Sequence, residues 1–161
     1  MSLVHLHLLM NHIPVIGILF VAIVLIAGLR MRSSDMAKLG LVMLAGVAAV
    51  SAIVYFTGEP AEDAVEKLAG VSRAFIHSHE EAAELAFIGA AIAGVLGVAA
   101  LWTYRKRALP RWAAGAALAV TLCVSALMGW TANLGGRIRH AEIRVSAIAD
   151  SAVADRERDE Q

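Results

Sequence analysis

The sequence predicts an all-α fold, a four-helix bundle that crosses a membrane. Four stretches, Ile13–Leu29, Leu39–Gly58, Leu85–Tyr104 and Trp112–Gly136, carry no charged residue. The 161-residue chain is 59% hydrophobic with a mean hydropathy of +0.69, which leaves little for a soluble domain. Its charges gather in the connections between the apolar runs. A helix rises about 1.5 Å per residue and the hydrocarbon core is about 30 Å thick, so roughly 20 apolar residues span it. Three stretches reach that length alone, and the first does so by including Leu3–His12. One domain is expected over 1–140, with spans near 3–29, 39–58, 79–104 and 112–136, followed by a polar tail at 141–161.

The elements follow in order. No Lys or Arg precedes the first apolar run, so it reads as a retained span rather than a cleaved signal peptide. Pro14 falls in the first turn of a helix starting near His12, where its missing N–H costs little. Gly58-Glu59-Pro60 predicts the end of span two, and Ala61–Leu68 a short surface helix with Glu62, Asp63 and Glu66 solvated. Gly70 breaks it. Ser72 is the N-cap expected for a third helix running to about Arg107. Leu109-Pro110 makes a tight turn, and Gly135-Gly136 is expected to close span four. The tail alternates acids and bases around Ile143, Ile148 and Val153, the pattern of a weakly amphipathic, solvated terminus.

Charge sets the expected orientation. Arg30, Arg32, Lys38, Arg105, Lys106, Arg107 and Arg111 in the first and third connections face only Asp35, a ratio of seven bases to one acid. The connection from Glu59 to Glu84 holds seven acids against Lys67 and Arg73. Positive loops stay in the cytoplasm. Both termini are therefore expected on the periplasmic side of a bacterial inner membrane. Trp102, Tyr104 and Trp112 would mark the inner interface, and Tyr55, Phe56 and Trp130 the outer one. A net charge of zero removes the electrostatic argument for a nucleic-acid partner. Cys123 stands alone as a small core residue, and no CxxCH exists for covalent haem attachment.

This topology brings His5, His7, His12, His77, His79 and His140 to one mouth of the bundle. Imidazole is the commonest metal ligand, and ionisable groups at membrane depth mark function by default. His5, Leu8, Leu9, His12, Ile16 and Leu19 share one helical face, with His5 and His12 about 10.5 Å apart. His12 lies deepest and is the first candidate ligand, while His7 points elsewhere and is expected to be solvated. His79 heads a face of small residues, Ala82, Ala83, Ala86, Ala90, Ala93 and Gly97, that suits either close helix packing or room for a flat macrocycle. Glu80 and Glu84 share a face near it. Arg137 and Arg139 either pair with Glu59, Glu62 or Glu80, or hold an anionic group such as haem propionates.

His12-Ile13-Pro14-Val15-Ile16-Gly17, the Gly58 turn, His79 opening helix three, and Gly135-Gly136 followed by Arg139-His140 resemble, in the same order, a family of small bacterial four-span membrane proteins with no assigned function. Some members are joined to Rieske or cytochrome c modules. The resemblance implies a redox-associated role and points to His12, His79 and His140. The chain departs from that family in its acid-rich segments Glu59–Glu62 and His79–Glu81, which brings a non-haem metal into consideration.

The leading expectation is a membrane-embedded b-type cytochrome that binds haem b through His12 and His79, with His140, Arg137 and Arg139 in support. Its partners would be the lipid bilayer, a periplasmic cytochrome c or a membrane redox complex. The alternatives are a non-haem Fe, Zn or Cu site built from His12, His79, His140, Glu59, Glu62 and Glu80, or an assembly subunit of a larger complex or homo-oligomer. A stand-alone catalyst is not indicated, because no nucleophile arrangement is recognisable.

Overall fold

The computed structural model describes residues 2–68 and 71–140, and the predicted tail at 141–161 lies outside them. The described residues are all-α: α1 (Leu3–Met10), α2 (His12–Arg30), α3 (Ser34–Phe56), α4 (Gly58–Val65), α5 (Arg73–Thr103) and α6 (Arg111–Arg139). Four helical segments, Leu3–Arg30, Ser34–Val65, Arg73–Thr103 and Arg111–Ile138, are long and apolar enough to cross a membrane. The chain is thus read as a multi-pass membrane protein.

The four long helices pack in a ring, α2 against α3, α3 against α5, α5 against α6 and α6 back against α2. Ile18, Val21 and Leu25 of α2 and Leu41, Leu44 and Val47 of α3 fill the centre, together with Ala86, Ala90 and Ala93 of α5 and Val124 and Met128 of α6. Large apolar side chains such as Phe20, Ile23, Val42, Ile92, Val95 and Leu122 point outward, as lipid contact requires. The small-residue face of α5 is a packing face: Ala82, Ala86, Ala90, Ala93 and Gly97 are all buried.

Close approach is most demanding at Gly94, where an added methyl would lie 2.5 Å from Ala48 Cβ of α3. Gly94→Val should therefore destabilise the bundle by about 1–3 kcal/mol through overpacking. Gly115→Ala, with nothing within 4 Å of the new methyl, should not. Thermal unfolding in detergent measures both.

Several boundaries differ from the sequence-based expectation, each for a local reason. The first span is divided at Asn11 because Pro14 has no N–H for the Met10 carbonyl, so the helical ladder lapses there. Gly58-Glu59-Pro60 opens α4 rather than merely ending α3, and Pro60 lies in that helix's first turn, where no N–H is missed. Gly135-Gly136 do not end α6, which continues to Arg139. Cys123, expected in the core, is exposed on the outer face of α6. Ser72 does occupy the N-cap position of α5, without a side-chain capping hydrogen bond, and Pro110, expected in a turn, immediately precedes α6.

Each end of the bundle has its own character. At the basic end the α2–α3 and α5–α6 connections are tied together. Leu109 N–H donates to Ser34 Oγ at 2.8 Å, Lys38 Nζ to the Arg107 carbonyl at 2.9 Å, and Arg111 to the Leu29 carbonyl at 3.1 Å. At the acidic end, Tyr55 of α3 stacks on Phe87 of α5 with ring centroids 4.6 Å apart. There α1 and α4 pack on one another beside α3.

Candidate functional site: paired imidazoles at the acidic end

Two histidines are drawn into the acidic end of the bundle, and both do so by docking on a neighbouring helix. His7 of α1 reaches across to α3, where its Nδ1–H donates to the Val54 carbonyl at 3.0 Å. Because α3 ends at Phe56, that carbonyl belongs to the last turn, whose acceptors lack the usual helical donors. The Thr57 hydroxyl lies 3.4 Å from the same ring nitrogen and donates to the Ile53 carbonyl at 2.9 Å. Gly58 flanks the ring: a methyl there would stand 3.8 Å from His7 Cε1.

His79 of α5 repeats this arrangement on α6. Its Nδ1–H donates to the Thr131 carbonyl at 3.0 Å. The ring lies over Gly135, where a methyl would come within 3.0 Å of His79 Cε1 and 3.2 Å of Nδ1. Thr131 is itself held, since its hydroxyl bridges to the Ala82 carbonyl at 3.0 Å and the Leu127 carbonyl at 2.9 Å. The two docking sites share one pattern. A carbonyl receives the imidazole and a glycine lies four residues later, Val54 with Gly58 and Thr131 with Gly135, though only at Gly135 does the ring fill the space of the missing side chain.

A carbonyl can only accept, so each Nδ1 carries the proton and each neutral ring presents a bare Nε2 lone pair. Metal-binding imidazoles are commonly oriented in this way, with the non-ligating nitrogen tied to a backbone carbonyl. His7 and His79 both stand at the acidic end of the bundle, one docked on α3 and the other on α6. Both are half-buried.

The other candidates are placed differently. His12, the expected deep ligand, is exposed on the outward side of α2, along with Ile16 and Leu19. His5 is exposed, with its Nδ1 2.7 Å from the Ser2 hydroxyl. His77 is exposed beside Glu80 and Glu81, at 3.7 and 3.3 Å. Glu80 and Glu81 are themselves exposed. His140 is exposed at the end of α6. Glu59 is exposed and Glu62 half-buried on α4. Among the described residues, no group of three or more His, Cys, Asp or Glu side chains converges to hold a metal ion. The six-residue non-haem set is therefore not assembled.

Two polar atoms remain orphaned. Asn11 Oδ1, at the α1–α2 junction, and Arg137 Nε, near the end of α6, are buried with no hydrogen-bond partner among the described residues. Arg137 thus lacks the pairing with Glu59, Glu62 or Glu80 that was one expectation for it. The Arg139 side chain lies outside what the structure describes. His7 is the residue that sequence reasoning passed over. Its signal lay in the equivalent placement of Gly58 and Gly135 near the ends of two spans.

Comparison with protein-family models, with curated proteins and with solved structures finds no match, so the motif-level resemblance identifies no family.

Proposed function

We propose that this chain is a membrane-embedded b-type cytochrome whose haem is held between His7 and His79. The observation that carries the reading is the matched pair of imidazoles, each fixed by a backbone carbonyl through Nδ1 and each offering Nε2. Porphyrin supplies four ligands to its own iron, so two protein imidazoles complete the shell. A bare zinc or non-haem iron ion asks for three or more protein ligands, and among the described residues no group of three or more such side chains converges. The donor set thus favours haem over the non-haem alternative.

The chain's own residues have clear parts in this reading. His7 and His79 bind and orient. Val54 and Thr131 fix the tautomer, and Gly135 gives the His79 ring room. Arg137, with its buried unpartnered Nε, supplies a guanidinium for a propionate carboxylate and would satisfy its own orphaned donor in doing so. Bound haem would supply one-electron transfer, and no proton-transferring side chain is needed. A reduced-minus-oxidised spectrum of the purified protein, with a pyridine haemochrome assay, tests the proposal. Expression with ample haem should give a b-type spectrum, and a protein free of any haem band refutes it.

The charge bias supports an orientation in a bacterial inner membrane with the imidazole end at the periplasm. In a Cys123→Ser background, Ala108→Cys should be shielded from an impermeant thiol reagent in intact cells, and Lys67→Cys should react. The reverse pattern inverts the orientation. Electrons would then exchange with a periplasmic cytochrome c or a membrane redox complex. The acids of α4 and the start of α5 would steer a basic carrier, so stopped-flow reduction by a basic cytochrome c should slow as ionic strength rises. A rate independent of salt excludes that docking face.

A further inference from the structure

We infer that the basic end of the bundle holds a binding site for the phosphate of one anionic phospholipid, between Arg32 and Arg111. The two connections at this end are cross-linked by hydrogen bonds from Leu109, Lys38 and Arg111, and a cavity of about 110 Å3 remains between them. Arg32 comes from one connection and Arg111 from the other, and both line the cavity.

Their bonding leaves donors free. Arg111 spends one N–H on the Leu29 carbonyl, but a guanidinium has five. Arg32 makes no hydrogen bond or ion pair among the described residues. The nearest acid in sequence, Asp35, is exposed and lies outside the lining. A small cavity of mixed polar and apolar lining that has an arginine from each connection on its rim calls for an anion with several acceptor oxygens, and a phosphodiester has the matching chemistry.

Position selects the source. The cavity lies where the apolar run of α2 stops and that of α6 begins, which is headgroup depth for a spanning helix. Met31 and Trp112, 66% and 71% exposed, adjoin Arg32 and Arg111 in the chain and offer apolar surface to acyl chains and the interface. Basic pockets between spanning helices suit anionic headgroups. This site is independent of the haem reading, being at the opposite end of the bundle.

The test uses the full chain in neutral detergent micelles doped with phosphatidylglycerol or phosphatidylcholine, with retained lipid counted by native mass spectrometry. One phosphatidylglycerol should be retained per chain, in preference to phosphatidylcholine. Arg32→Asn, chosen because Asn tolerates the positive backbone φ of 54° at that position and because Arg32 makes no hydrogen bond or ion pair among the described residues, should weaken retention about fivefold. Lys106→Gln removes an exposed charge outside the cavity and should leave retention unchanged. Equal retention of phosphatidylcholine overturns the inference, and so does an equal loss in Lys106→Gln, which would mark diffuse charge. Displacement of the lipid by inorganic phosphate at comparable concentration would assign the cavity to free phosphate and overturn the lipid source.

Discussion

His79→Ala and His7→Ala should each purify without haem, while His12→Ala retains it in full. The first two changes remove an imidazole that is docked, oriented and half-buried; the third removes one exposed on the outside of α2. If haem is held by the two imidazoles, loss of either one should change the spectrum of any residual pigment. The haemochrome yield per chain and the reduced spectrum measure the outcome, and circular dichroism checks that the helices persist. Full occupancy in both His7→Ala and His79→Ala removes the assignment. Loss in His12→Ala instead would restore the ligand expected from sequence.

Gly135→Val should have the second largest effect, because α6 backbone at that position forms the floor beneath the His79 ring. Even a methyl there approaches the imidazole to 3.0 Å, closer than carbon and nitrogen atoms ordinarily pack. The ring must leave the Thr131 carbonyl or α5 and α6 must part, at a cost of about 1–3 kcal/mol by the scale of overpacked cores. Haem affinity should fall with it, by about tenfold or more. Gly58→Ala offers the contrast. Its methyl meets His7 at 3.8 Å, an ordinary contact, so affinity should change little. Haem titration of the apo-forms reads both. Equal, small effects at the two glycines would show that the His79 ring is not seated on α6 when the cofactor binds.

The same residues show how far the sequence carries. Charge-free runs of spanning length sufficed to locate four helices, because in lipid the backbone has to satisfy its hydrogen bonds within each segment. Pro14 and Ser72 marked helix starts by local chemistry alone. The small residues of α5 predicted a packing face, and Ala82, Ala86, Ala90 and Ala93 are buried there. The acidic mouth, with a histidine at the start of helix three, was likewise legible from charge and periodicity.

Tertiary structure alone decided which face of the first span looks inward. Residues 3–30 are apolar on every side, and a helix in a membrane has lipid on one flank and protein on the other, both apolar, so the pattern gives no amphipathic signal. Periodicity correctly grouped His5, Leu8, Leu9, His12, Ile16 and Leu19, but that group faces outward. His7 turns inward because the last turn of α3 offers it the Val54 carbonyl, and because α1 rests on α4. Likewise Gly135 read as a helix end in sequence, whereas it is the seat of the His79 ring within a continuing helix. A glycine's missing side chain acquires that meaning only when a neighbour from another helix, 56 positions earlier in the chain, is brought to the space it leaves.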